Sequence, residues 1–151
     1  MKELTLRILG KPVPKQSFRY TKSGGKYPNP EAREEQRNVR AQIVSQLPEG
    51  FVPFSGPVEV NIIYTFPAPQ NTKKMLKELV ESGRGYIKHK APDCENLLKL
   101  TNDAMEGVVF LNDAQVFHVS ITKKYVKTPG VIILVIAYED IEEAVKFSRY
   151  S

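Results

Sequence analysis

Apolar and polar positions recur along this chain with two different periods, and the periods divide it into elements. Leu4 to Leu9 (LTLRIL) alternates as a half-buried strand does, and Gly10 stops it. Glu31 to Leu47 is polar-rich and free of proline, with Val39, Ile43 and Leu47 recurring every four residues. It reads as a helix opened by Asn29-Pro30, since proline is tolerated at the first helical position. Val58 to Phe66 (VEVNIIYTF) reads as a strand, and Met75 to Val80 lies in a short helix. Gln115 to Val126 and Val131 to Tyr138 read as two strands joined by the turn sequence Lys127-Thr128-Pro129-Gly130. The second of these, VIILVIAY, is a continuous apolar run, as a buried strand requires. Glu139 to Ser151 is a final helix or tail. There is no internal repeat or low-complexity tract, which predicts one α+β domain over residues 1–151.

Between Pro92 and Gln115 the pattern carries chemistry as well as structure. Leu97, Leu100, Ala104 and Val108 follow core spacing, whereas Asn96, Lys99 and Asp103 form a second stripe on the same predicted helix. Three carboxylates surround it: Asp93 and Glu95 flank Cys94 at the helix start, and Asp113 lies in a Gly- and Asn-punctuated turn before a strand. A structural account covers part of this. Asp93 is a suitable N-cap, and Glu95 and Lys99 form an i,i+4 pair in the favourable orientation. The chemical account is a Mg²⁺ site, because that ion takes hard oxygen ligands and is held by one or two carboxylates plus substrate phosphate. A lysine beside it offsets charge that develops in phosphodiester cleavage. The metal reading requires Asp113 to fold back beside Asp93.

Charge extends the picture to a partner. The chain has 22 Lys+Arg against 17 Asp+Glu, a net charge of +5, and the acids assigned to the metal cluster leave the remaining surface more basic still. Basic surface favours a polyanion such as DNA. The long loop from Lys11 to Pro30 interleaves Lys11, Lys15, Arg19, Lys22 and Lys26 with Phe18, Tyr20 and Tyr27, a mixture suited to phosphates and unstacked bases. A second basic cluster, Lys73, Lys74 and Lys77 with Arg84, Lys88, His89 and Lys90, leads into the acidic segment and would bring the strand to the metal. The single cysteine, Cys94, excludes an intramolecular disulfide and a cysteine-rich zinc site, and reads as a small, partly buried side chain. No apolar run is long enough to span a membrane and no secretory signal pattern appears, which predicts a cytoplasmic protein.

The pattern Pro92-Asp93-x-Glu95-Asn96-Leu97-x-Lys99, then Asp103-Ala104, Gly107 and Asn112-Asp113-x-Gln115-Val116, resembles the signature of RusA-type Holliday junction resolvases. Gln115 and Val116 set the register of Asp113 against that family's catalytic aspartate. The opening segment Gly10-Lys11-Pro12-Val13-Pro14-Lys15 with Arg19 is similar more weakly. Two positions depart from the family wording: Glu95 stands where Asp is usual, lengthening the ligand arm by one methylene, and Asn112 stands for the first aspartate of a pair.

The resemblance implies a mixed β-sheet packed by helices, a homodimer, and Mg²⁺-dependent (alternatively Mn²⁺-dependent) resolution of four-way DNA junctions by paired nicks. Small resolvases of this type are often prophage-encoded. It implies Asp93, Glu95 and Asp113 as metal ligands, Asp103 as a supporting ligand, and Lys99 beside the scissile phosphate. Lys15, Arg19, Lys73, Lys74, Lys88 and Lys90 are the expected DNA contacts. A junction has approximate two-fold symmetry, which a C2 pair of sites matches. Two other readings are a non-catalytic nucleic-acid-binding protein whose acids only cap a helix, and a nuclease for other branched DNA.

Overall fold

A computed structural model describes all of the chain except Gln16, Ser17, Phe18 and Pro28, and except the side chains of Arg19 and Tyr20. The sequence LTLRIL lies in β1 (Lys2–Leu9), and VEVNIIYTF in β4 (Val58–Pro67). The two late strands are β6 (Val116–Val126) and β7 (Gly130–Ala137). Inside the basic loop, β2 (Arg19–Tyr20) and β3 (Lys26–Tyr27) form a small hairpin. The helices are α1 (Pro30–Gln46), α2 (Lys74–Glu81), α3 (Cys94–Met105) and α4 (Ile141–Phe147). A further short strand, β5 (Tyr86–Ile87), follows α2. Asn29 caps α1, its side chain accepting the Glu31 N–H at 3.1 Å with Pro30 in the first position, as the sequence predicts.

The main sheet has the order β1-β7-β4-β6-β5, and it is mixed: β4 runs antiparallel to β7 and parallel to β6. The parallel pair requires a long crossover, supplied by α2, β5 and α3 between β4 and β6. β5 reaches the sheet through Gly85, whose φ of +68° is a conformation that side-chain-bearing residues rarely adopt. A Cβ there would stand 2.4 Å from the Tyr125 carbonyl oxygen, so the close approach also requires glycine.

Helices α1 and α3 pack together over one face of the sheet. Val39 and Ile43 of α1 and Leu97, Leu100 and Ala104 of α3 join Leu6, Val60, Ile62, Ile133 and Val135 in a single buried cluster. Buried Tyr64 meets α3 through a 2.8 Å hydrogen bond with Thr101, whose hydroxyl also donates to the Leu97 carbonyl at 3.1 Å. No buried hydroxyl there is left without a partner.

The opposite face differs from the expectation for VIILVIAY. Val131, Ile133, Val135 and Ala137 are buried, but Ile132, Leu134 and Ile136 are only half-buried. The helices cover one face alone, so a continuous apolar run is half-used. At one end of this second face the C-terminal segment closes over the sheet: Ser148 and Tyr138 donate hydroxyl hydrogen bonds to buried Glu59, and the Tyr150 ring stacks 3.5 Å from His118. Cys94 is also corrected: it is exposed at the first turn of α3, not partly buried. Among the described residues, no helix is long and apolar enough to cross a membrane.

Candidate active site

The start of α3 is built as the sequence predicts. Asp93 is the N-cap, with its carboxylate accepting the Asn96 N–H at 2.7 Å and the Asn96 side-chain amide at 3.3 Å. An anion there is favoured by the positive end of the helix. Both Asp93 and Glu95 remain exposed, and Glu95 sits 3.4 Å from the Lys99 ammonium. The segment before the helix is tied to the sheet by Lys123, whose ammonium donates to the carbonyls of Lys90 and Pro92 at 2.7 and 2.8 Å. Two hard carboxylates and a lysine are therefore presented to solvent on an anchored helix start.

The Asn96-Lys99-Asp103 stripe does face away from the core, and the opening basic segment docks along it. The Lys15 N–H donates to the Asn96 carbonyl at 2.9 Å, and the Lys15 ammonium pairs with the Asp103 carboxylate. At the far end of α3, Arg40 was not singled out by any sequence signal. Its guanidinium donates to the carbonyls of Asp103, Ala104 and Glu106 at 2.5, 3.1 and 3.3 Å, satisfying groups that a helix C-terminus leaves open. An arginine on an otherwise solvated helix face gives no hint of such a role until its partner helix is placed.

Asp113 opens a short 3₁₀ turn, Asp113–Gln115. Asn112 caps it by accepting the Ala114 N–H at 2.8 Å, and the Gln115 side chain accepts the Asn112 N–H at 2.8 Å. The Gln115 amide also donates to the carbonyls of Phe54 and Gly56, each at 2.8 Å, which locks the turn to the entry of β4. The departure to asparagine at position 112 thus keeps a capping oxygen. The Asp113 carboxylate is exposed and makes no hydrogen bond or ion pair among the described residues.

Asp113 does not fold back beside Asp93 within one chain. Asp113 precedes Val116 at the start of β6, whereas Asp93 follows the carbonyls held by Lys123 near its end. Those two positions on β6 are roughly 23 Å apart at the usual rise per strand residue. Among the described residues, no three His, Cys, Asp or Glu stand close enough to hold a metal ion. One chain offers a half-site of two carboxylates at one end of β6 and a lone carboxylate at the other.

The profile of the endodeoxyribonuclease RusA family matches residues 10–136, from the opening basic segment to near the end of β7. The chain belongs to the RusA family. Its matched span contains α3, the 3₁₀ turn and every carboxylate described above, while α4 lies outside it. The chain is also similar to the uncharacterized protein YqaN of Bacillus subtilis (strain 168), 24% identical over 82 residues, or 54% of this chain. That match covers 58% of the relative, so the chain spans less than two thirds of its length.

The remaining expected contacts lie on the side of the molecule where β5 leads to Asp93. Lys73, Lys74 and Lys90 are exposed. Lys88 is half-buried, with its ammonium 3.2 Å from the Tyr125 hydroxyl and 4.7 and 5.0 Å from the Tyr125 and Phe66 ring centres. A cation held over two rings is already partnered. The Arg19 side chain lies outside the described residues.

Proposed function

We propose that the chain is a divalent-metal-dependent DNA endonuclease that resolves four-way junctions as a homodimer in the cytoplasm. The observation that carries this reading is the pair of exposed carboxylates at the start of α3, on a chain whose match to the RusA family spans both carboxylate segments. Hard carboxylate oxygens suit Mg²⁺ or Mn²⁺ better than the neighbouring thiol of Cys94 does. A bound ion of this kind supplies polarisation of the phosphate and activation of water. Asp93 and Glu95 provide the anionic oxygens that hold it. Glu95 does so with the longer arm that the family's usual aspartate lacks. Lys99, already beside Glu95, faces the phosphate and offsets its charge.

Two carboxylates are a sparse ligand set, and Asp113 has no other task. A two-fold arrangement supplies the third ligand if Asp113 of the partner subunit meets Asp93 and Glu95. Each dimer then carries two equivalent sites, which is what two symmetric nicks in a junction require. Lys73, Lys74 and Lys90 flank the approach to each site as phosphate contacts.

A second reading is favoured by the same helix start. The Asp93 cap and the Glu95–Lys99 pair each have a structural role, as in a protein that binds DNA without cutting it. A labelled synthetic four-way junction, incubated with Mg²⁺ or with EDTA beside a linear duplex of the same sequence, separates the two. The proposal expects paired nicks in the junction arms with Mg²⁺ alone. Binding that is unaffected by EDTA, with no nick under either condition, supports the second reading.

A further inference from the structure

The two edges of the main sheet are finished in opposite ways. At the β1 edge, the side-chain amide of Gln46 accepts the Arg7 N–H at 2.9 Å and donates to the Arg7 carbonyl at 2.7 Å. Gln42 does the same for Leu9, at 2.9 and 3.4 Å. Two glutamines of α1 therefore occupy backbone groups that an edge strand otherwise leaves open to another chain. At the other edge, β5 pairs only with Lys124 and Tyr125, and the Lys88 N–H reaches the Lys123 carbonyl at 2.9 Å. Peptide groups alternate along a strand, so those of Val119 and Ile121 point to the same outer side as Lys123. Among the described residues nothing meets them. The stretch His118 to Thr122 contains no proline, lysine or carboxylate, the usual devices that keep an edge from pairing.

Resting on the dimeric reading above, we infer that β6 is the dimer seam, pairing antiparallel with β6 of a second copy across an axis at Ser120. Val119 and Ile121 of each copy then exchange backbone hydrogen bonds, and the two sheets become one. The identity of the occupant follows from three features. A strand related to itself by a two-fold axis is necessarily antiparallel to its copy, and both members bring the same unmet groups. The same pairing turns the Asp113 end of one β6 toward the Lys123 end of the other, where Asp93 stands. It also sets the exposed Phe117, Ile141 and Val145, which flank the start of β6, toward the partner's β5 end with its exposed Ile87.

The full chain tests this through a cysteine at the axis. Residues facing each other in a non-hydrogen-bonded antiparallel pair have Cα atoms about 4.5 Å apart, within disulfide reach. Ser120→Cys in a Cys94→Ser background is expected to form a covalent dimer on mild oxidation, reversed by reductant. Thr5→Cys, on the same sheet face in β1, is expected to remain uncrosslinked. Sedimentation is expected to show a wild-type dimer and a folded Ile121→Pro monomer, because proline removes the outward N–H. A monomeric wild type, or a dimer in which Ser120→Cys gives no crosslink, overturns the inference. Junction cleavage is read separately: a cleaving wild type without the crosslink removes this seam and leaves the proposed activity standing, whereas a crosslinked dimer that never nicks does the reverse.

Discussion

The ammonium of Lys15 pairs with the carboxylate of Asp103 across 88 residues of sequence, and each side chain is 35% exposed. The two residues were expected to serve DNA and metal separately, yet in the free protein they neutralise one another. Lys15 is therefore part of the wall of the site, laid against α3 by its own backbone bond to Asn96.

This pair predicts a small, non-additive contribution to stability. Lys15→Ala and Asp103→Ala should each lower the urea midpoint, and the double variant should cost little more than either single one. The expected coupling is about 0.2–1 kcal/mol, the range for pairs with this much solvent access. Additive losses in the double-mutant cycle would show that Lys15 does not lean on Asp103 in solution.

The exposed lysines predict a salt signature. Replacing Lys73, Lys74 and Lys90 by Ala should weaken junction binding and flatten the slope of log affinity against log salt by roughly 0.9 for each phosphate no longer neutralised. Lys88→Ala should instead lower stability, since its ammonium is spent on Tyr125 and Phe66. Titrations at several salt concentrations, beside thermal melts, distinguish the two effects. An unchanged slope in the triple variant would move the DNA path away from the β5 side.

How much of this was legible before folding differs by element. Local signals sufficed where one residue type forces one outcome: Asn29-Pro30 opened α1, Asp93 capped α3, and the alternation of LTLRIL set β1. Gln115 was readable only as part of a motif, and its physical task, clamping the Asp113 turn to Phe54 and Gly56, needs the β4 entry in place. The half-burial of Ile132, Leu134 and Ile136 was hidden because a run apolar at every position does not reveal which face the helices will cover. Arg40, Gln42 and Gln46 read as ordinary polar positions on a solvated face. Their partners lie on other elements, and sequence spacing within one helix carries no information about them. The distance between Asp93 and Asp113 was invisible for a related reason: it depends on α3 and β6 lying alongside each other.

Two tyrosines predict the alkaline behaviour of the fold. Burial pushes the hydroxyls of Tyr64 and Tyr138 above the ordinary tyrosine range, the second also through its bond to Glu59. Folding thus favours their neutral form. The stability this supplies is fully present below the unfolded value of about 10 and is lost as pH rises beyond it. Tyr64→Phe should cost about 1 kcal/mol at neutral pH through the lost bond to Thr101, and its further loss above pH about 10 should be shallower than wild type. Urea melts at neutral and alkaline pH measure both. An identical alkaline fall in the variant would place the titrating group elsewhere.

The central claim is a site shared between two copies, with Asp93 from one and Asp113 from the other. Mixing variants tests it most directly. Asp93→Asn and Asp113→Asn should each bind a four-way junction but leave it uncut in Mg²⁺. After the two proteins are unfolded together and refolded, each mixed dimer should contain one site with both aspartates intact. Nicking of single strands should then return without paired resolution. If the mixture stays as inactive as its parents while tagged chains show that mixed dimers have formed, both aspartates act within one chain and the shared site is contradicted.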